Sequence, residues 1–173
     1  MTPPTWPAGE YVPEPNPTPA RREEFIAEME SFPSRLAIFL APIGDSVLEL
    51  KYRNWTIRQI VHHLADSHVH CYIRFKWTLT EETPTIKAYH EGDWAALEDS
   101  RAGDVHVPLT VLEGIHARWA QLLRTLSDEQ FARSYFHPET GKTVTLNAAL
   151  QSYAWHGRHH MGQIQWLIEQ HGW

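Results

Sequence analysis

The sequence predicts an all-α fold: a four-helix bundle with one long crossover connection and an extended, proline-rich N-terminal arm. Two observations carry that prediction. Apolar residues recur every three or four positions along four long stretches, and Thr18, Thr56 and Thr145 stand as capping residues at the starts of three of them. Residues 1–173 read as one domain, because a chain of this length buries a substantial single core.

Residues 1–17 contain Pro3, Pro4, Pro7, Pro13, Pro15 and Pro17, which donate no hydrogen bond to a helix or sheet interior, so this segment reads as an extended arm. Thr18 then offers a capping hydroxyl ahead of Pro19 at the first helical position. The helix it opens carries Phe25, Met29, Phe32, Leu36 and Leu40 on one stripe, and Pro33 should kink it or divide it in two. At the second helix, Thr56 and Gln59 have capping-box spacing while Trp55 and Ile60 complete a hydrophobic staple. That helix runs to about Thr80 with Ile60, Leu64, Ile73 and Trp77 on its apolar side, and His63 lies beside that side.

Residues 83–107, broken by Pro84, Gly92 and Gly103 and closed by Pro108, form the crossover, in which Asp93 should cap a short helix through Trp94 and Leu97. The third long helix reads from about Leu109 to Leu126 on Leu112, Ile115, Trp119 and Leu123, and Ser127 to Phe131 adds a capped turn. His137 to Lys142 is turn chemistry, flanked by too few β-type residues to predict a hairpin. The last helix starts near Thr145 and sets Leu150, Tyr153, His156, His160, Ile164 and Leu167 on one stripe.

Composition removes several classes of function. A formal charge of −6, with Arg21-Arg22 the one adjacent basic pair, lacks the clustered basic footprint of a nucleic-acid binder. Cys71 is the single cysteine, so no intrachain disulfide forms and a cytoplasmic location is expected; its apolar helical context makes it an inert thiol. Prolines and Glu10 stand where an export signal needs a positive flank and an apolar core. No run approaches 18 apolar residues, so membrane insertion is not expected either.

The chemistry concentrates in Trp155 to Gln163, where His156 and His160 lie four residues apart on one helical face. Two imidazoles so placed grip one transition-metal ion if a third ligand arrives from elsewhere. His63 is the candidate and His62 its rival. Three histidines with no fourth protein ligand leave a coordination position open, the plan of catalytic rather than structural zinc sites. His159, turned about 100° from His160 by helical periodicity, should not join them. His68, His70, His90, His106, His116, His137 and His171 are expected at the surface or as hydrogen-bonded core residues. Asp66 and Gln163 each have two readings, a group that orients a ligand imidazole or a solvent-facing helix residue. Glu113-x-x-His116 is a single instance where a di-iron bundle needs a pair, and no His-Glu-x-x-His occurs. Neither motif places a general base.

Trp55-Thr56 followed by His63-Leu64-Ala65-Asp66, together with His156 through Gly162-Gln163, resembles the two motifs of the DinB-like superfamily, and within it the YfiT-like metal-dependent hydrolase family. The similarity extends through Tyr72-Ile73-Arg74-Phe75-Lys76, Thr83-Pro84 and Gly9-Glu10-Tyr11, nearly the whole chain. It implies a bundle of DinB/YfiT type, a homodimer in the cytoplasm, and one divalent metal per subunit, zinc first and nickel second, on three histidines matching His63, His156 and His160. The superfamily also includes bacillithiol transferases and mycothiol-dependent isomerases.

Three neutral imidazoles leave the ion dipositive, so the first expectation is a metal-dependent hydrolase that activates water at the open position against a small-molecule substrate. The alternatives are an S-transferase, with a low-molecular-weight thiol such as bacillithiol held as thiolate, and a non-catalytic metal-binding stress protein.

Overall fold

The computed structural model describes residues 2–172. Its elements in order are α1 (Pro19–Leu40), α2 (Asp45–Leu48), β1 (Lys51–Tyr52), β2 (Trp55–Thr56), α3 (Ile57–Thr80), α4 (Glu91–Ala95), α5 (Glu98–Ala102), α6 (His106–Arg124), α7 (Asp128–Ala132), β3 (Ser134–His137), β4 (Lys142–Thr145) and α8 (Leu146–His171). The four long helices make the expected bundle. Helices α1 and α3 each pack against both α6 and α8, so the cyclic order is α1-α6-α3-α8, with α1 diagonal to α3 and α6 diagonal to α8. Among the described residues no helix is long and apolar enough to cross a membrane.

The expected caps are in place. Thr18, Thr56 and Thr145 accept from the backbone N–H of Arg21, Gln59 and Ala148, and the Gln59 side chain closes the capping box at Thr56. Helix α1 is not divided at Pro33. The proline has no N–H, so the carbonyl of Met29, four residues earlier, is left without its helical donor.

Several elements depart from the sequence reading. A hairpin does form at His137–Lys142, pairing Ser134 with Thr145 and Tyr135 with Val144. It has a partner beyond its own strands: Phe136 donates its N–H to the Pro84 carbonyl and accepts from Ile86, at 2.9 and 3.1 Å, so the crossover covers one edge. Asp93 does not cap the crossover helix; α4 begins two residues earlier behind His90, where Glu91 and Asp93 both sit in a first turn that favours negative charge. Helix α6 starts at His106, ahead of the expected Leu109, because Pro108 is tolerated in a first turn whose N–H groups lack helical partners. The short helices α2 and α5 and the β1–β2 hairpin have no counterpart in the sequence reading.

The buried side chains fall into two apolar groups. One gathers Phe32, Leu36, Ile60, Leu64, Leu112, Ile164 and Leu167; the other gathers Phe25, Met29, Phe75, Trp119, Leu123, Leu146 and Leu150. Between them, at mid-height on three of the helices, lies a layer of imidazoles: His63 and His68 from α3, His116 from α6, His156 and His160 from α8.

Candidate metal centre

Helix α3 delivers His63 and α8 delivers His156 and His160, whose ligand atoms all lie within 4.8 Å of one another. The Nε2 of His156 is 3.3 Å from that of His63 and 3.1 Å from that of His160. Nitrogens bound tetrahedrally at the usual zinc distance of about 2.0–2.1 Å are separated by about 3.3–3.4 Å, so the spacing fits one ion. Burial holds the His63 imidazole down to about 4. Burial, reinforced by neighbouring imidazoles, pushes His156 and His160 well below the ordinary range. The donor set is therefore neutral near pH 7, the form that ligates metal.

Each α8 ligand is held through its other ring nitrogen. The Gln163 carbonyl oxygen is 2.8 Å from Nδ1 of His160, and its amide nitrogen is 2.9 Å from Nε2 of His159. One glutamine thus fixes two rings: its oxygen accepts from His160, its N–H donates to His159, and Nε2 of His160 keeps its lone pair. His159 itself faces the arm, stacked on Trp155 at 4.6 Å and beside Trp6. On His156, Nδ1 lies 3.1 Å from Nε2 of His68. His68 and His116, expected at the surface or as hydrogen-bonded core residues, are the latter, and they stand in the layer directly behind the triad. No local signal reveals this, since His116 comes from a helix 40 residues upstream of His156.

Two glycines permit this assembly. A Cβ on Gly157 would stand 3.0 Å from the ring of Phe32, and one on Gly162 would stand 3.2 Å from Pro7. Gly157 therefore lets α1 press Phe32 over the histidines, and Gly162 seats the N-terminal arm against α8. The arm is further held where Trp155 donates its indole N–H to the Gly9 carbonyl at 3.0 Å and where Gln151 exchanges hydrogen bonds with the backbone of Glu14.

His62 and Asp66 belong elsewhere. Both line a separate cavity of about 530 Å³, with Val69, Trp94, Asp99 and Val111 among its walls. Asp66 faces that cavity instead of the triad, and burial together with Asp99 pushes its carboxyl up to about 6. A cavity of about 370 Å³ opens on the triad side, lined by Tyr52, Asn54, Trp55, Glu91, His160 and Gln163 among others. Cys71 is fully buried, and burial pushes its thiol up, away from nucleophilic use.

The sequence pattern of the DinB superfamily is matched over residues 28–164. The chain is 44% identical over 171 residues to YfiT of Bacillus subtilis (strain 168), spanning 98% of this chain and 96% of that protein. It is 39% identical over 175 residues to a protein of Bacillus pumilus (strain SAFR-032), spanning 100% and 99%. Both carry the name "Putative metal-dependent hydrolase". The solved structure of Bacillus subtilis YfiT, described as a four-helix bundle of unusual topology, matches with a TM-score of 0.95 over 98% of each chain. A mycothiol-dependent maleylpyruvate isomerase shares the fold at a TM-score of 0.64 and 18% identity, over 81% of this chain and 59% of the other.

Proposed function

This chain belongs to the DinB superfamily, and from that premise we propose that it is a metal-dependent hydrolase holding one divalent ion, zinc before nickel, on His63, His156 and His160. The observation that carries the reading is the convergence of three neutral Nε2 atoms at the spacing of a tetrahedral site, with no fourth protein ligand in the group. Such an ion supplies Lewis acidity at an open position, where water is activated as a nucleophile. Gln163 orients His160, and Trp55, 4.7 Å from His63 between ring centres, walls the cavity beside the ligands. Glu91 is the carboxylate on that wall.

The substrate is a small molecule admitted by the triad-side cavity, and the location is cytoplasmic, in keeping with a lone buried thiol. A homodimer is supported by the exposure of Trp77, Trp94, Leu97, Val107 and Val111. The four long helices, each contributing to both apolar groups, serve the site as one domain over residues 1–173.

The test is turnover of small esters and amides, and of an electrophilic thiol acceptor with and without low-molecular-weight thiols, by zinc-reconstituted protein with His160→Ala as blank. Metal-dependent ester or amide turnover without thiol is expected. Consumption of a thiol such as bacillithiol would replace the hydrolase with an S-transferase, and stoichiometric metal with neither activity would leave a metal-binding stress protein.

A further inference from the structure

The layer contains a chain of nitrogens that the triad does not use. Nδ1 of His116 lies 2.6 Å from the Met29 carbonyl, Nε2 of His116 lies 2.7 Å from Nδ1 of His68, and Nε2 of His68 lies 3.1 Å from Nδ1 of His156. His68 and His116 are 0% and 1% exposed, so bulk water does not serve their nitrogens. Phe32 lies over both rings and Trp119 meets both edge-on.

A carbonyl only accepts, so the proton between Met29 and His116 belongs to Nδ1 of His116. A neutral His116 then has a bare Nε2, which accepts from Nδ1–H of His68. A neutral His68 in turn has a bare Nε2, which accepts from Nδ1–H of His156. The last member is left with its proton on Nδ1 and its lone pair on Nε2, the nitrogen that faces His63 and His160. The opposite direction would put N–H on every Nε2 and set the bare Nδ1 of His116 against the Met29 oxygen. The sequence provides the anchor: Pro33 withholds the N–H that Met29 would otherwise receive in α1, which leaves its carbonyl free for His116.

We propose that the Met29 carbonyl, acting through His116 and His68, fixes the tautomer of His156 so that Nε2 is presented bare to the triad. His68 and His116 are then positioning residues for a ligand two imidazoles away. The proposal involves no change of charge. It rests on the triad being the metal site, but the tautomers exist without metal and are measured without it.

The experiment is a long-range 1H–15N correlation spectrum of ligand-free protein labelled on histidine, which reports the protonated nitrogen of each ring, paired with zinc affinity by chelator competition. His116, His68 and His156 are expected as Nδ1–H. His116→Leu should populate Nε2–H on His156 and weaken zinc binding on the order of 10–100-fold. His116→Gln, which keeps a donor for Met29 and an acceptor for His68, should restore both within a few-fold. A wild-type spectrum with Nε2–H on His156 would overturn the proposal even if His116→Leu fails to fold, as would unchanged tautomers in a folded His116→Leu. If His160→Ala binds zinc like the wild type, the triad reading fails, a result read independently of the ligand-free spectrum.

Discussion

Above and below the histidine layer, the bundle is filled largely by side chains that carry no direction: Leu36, Ile60, Leu112 and Ile164 on one side, Phe75, Leu123, Leu146 and Leu150 on the other. Behind the triad each hydrogen bond has a sense, along the row Met29, His116, His68, His156 and between Gln163 and His160. The same helices build both regions. An apolar layer needs volume at native density and accepts many fillings. A dry polar layer needs each donor matched to an acceptor, so losing one partner disturbs atoms several residues away.

The largest expected contrast comes from the triad itself. His156→Ala or His160→Ala should lower metal affinity by more than about 10³-fold, whereas His159→Ala, whose ring faces the arm, should retain stoichiometric metal. Metal analysis of the three purified variants checks this, and equal loading would dissolve the contrast. Cavity mutations work the other way. Leu150→Ala and Ile164→Ala, both 0% exposed but in opposite apolar groups, should each cost about 2–5 kcal/mol by denaturant unfolding while leaving the metal stoichiometry of the folded fraction unchanged.

Acid should act strongly on the layer, whose imidazoles are held neutral by burial. Burial holds His116 at about 4, below the ordinary 6.5, so at intermediate pH the unfolded chain binds a proton that the folded protein refuses. The stabilising effect of neutral His116 is thus complete above about 6.5 and is lost as pH falls toward 4, up to about 3 kcal/mol. Melting of ligand-free protein between these values should show that slope, and His116→Gln should reduce it by the His116 share only, because burial also lowers His63, His68, His156 and His160.

The smallest effects separate two glycines. Gly157→Ala drives a methyl into Phe32 above the layer and should cost about 1–3 kcal/mol. Gly162→Ala meets only Pro7 on the arm, which can lift away, and the gain of about 0.5–1 kcal/mol in helix propensity should leave it near neutral. Equal losses in thermal melts would show that the arm is held as firmly as the core.

The bundle was legible because its long helices announce themselves locally, through periodic apolar stripes and the Thr56–Gln59 cap. The pair His156 and His160 was legible for the same reason, sharing a face by spacing alone, whereas spacing left His63 and His62 as rivals for the third position and the fold brings His63 to the pair. Asp66 misled because one helical turn places it near His63 along the chain, yet it turns toward α5. His68 and His116 were illegible because a hydrogen bond between helices leaves no periodic trace. The β3–β4 hairpin was underestimated because part of its edge pairing comes from Pro84 and Ile86, some 50 residues earlier. Pro33 was expected to kink α1 or divide it; the helix runs on through it, and the carbonyl of Met29 is left without its helical donor.

The diagonal arrangement of the helices bears on how the chain is made. Helix α8 follows every other member of the bundle in chain order, yet it contributes to both apolar groups and carries two of the three clustered histidines. While it is still being synthesised, at about 5–20 residues per second, α1, α3 and α6 have no lid for their apolar faces, and His68 has no His156 to accept from. Intermediates in which α8 is not yet docked should therefore expose apolar surface, and the histidine cluster should close in one step when α8 docks.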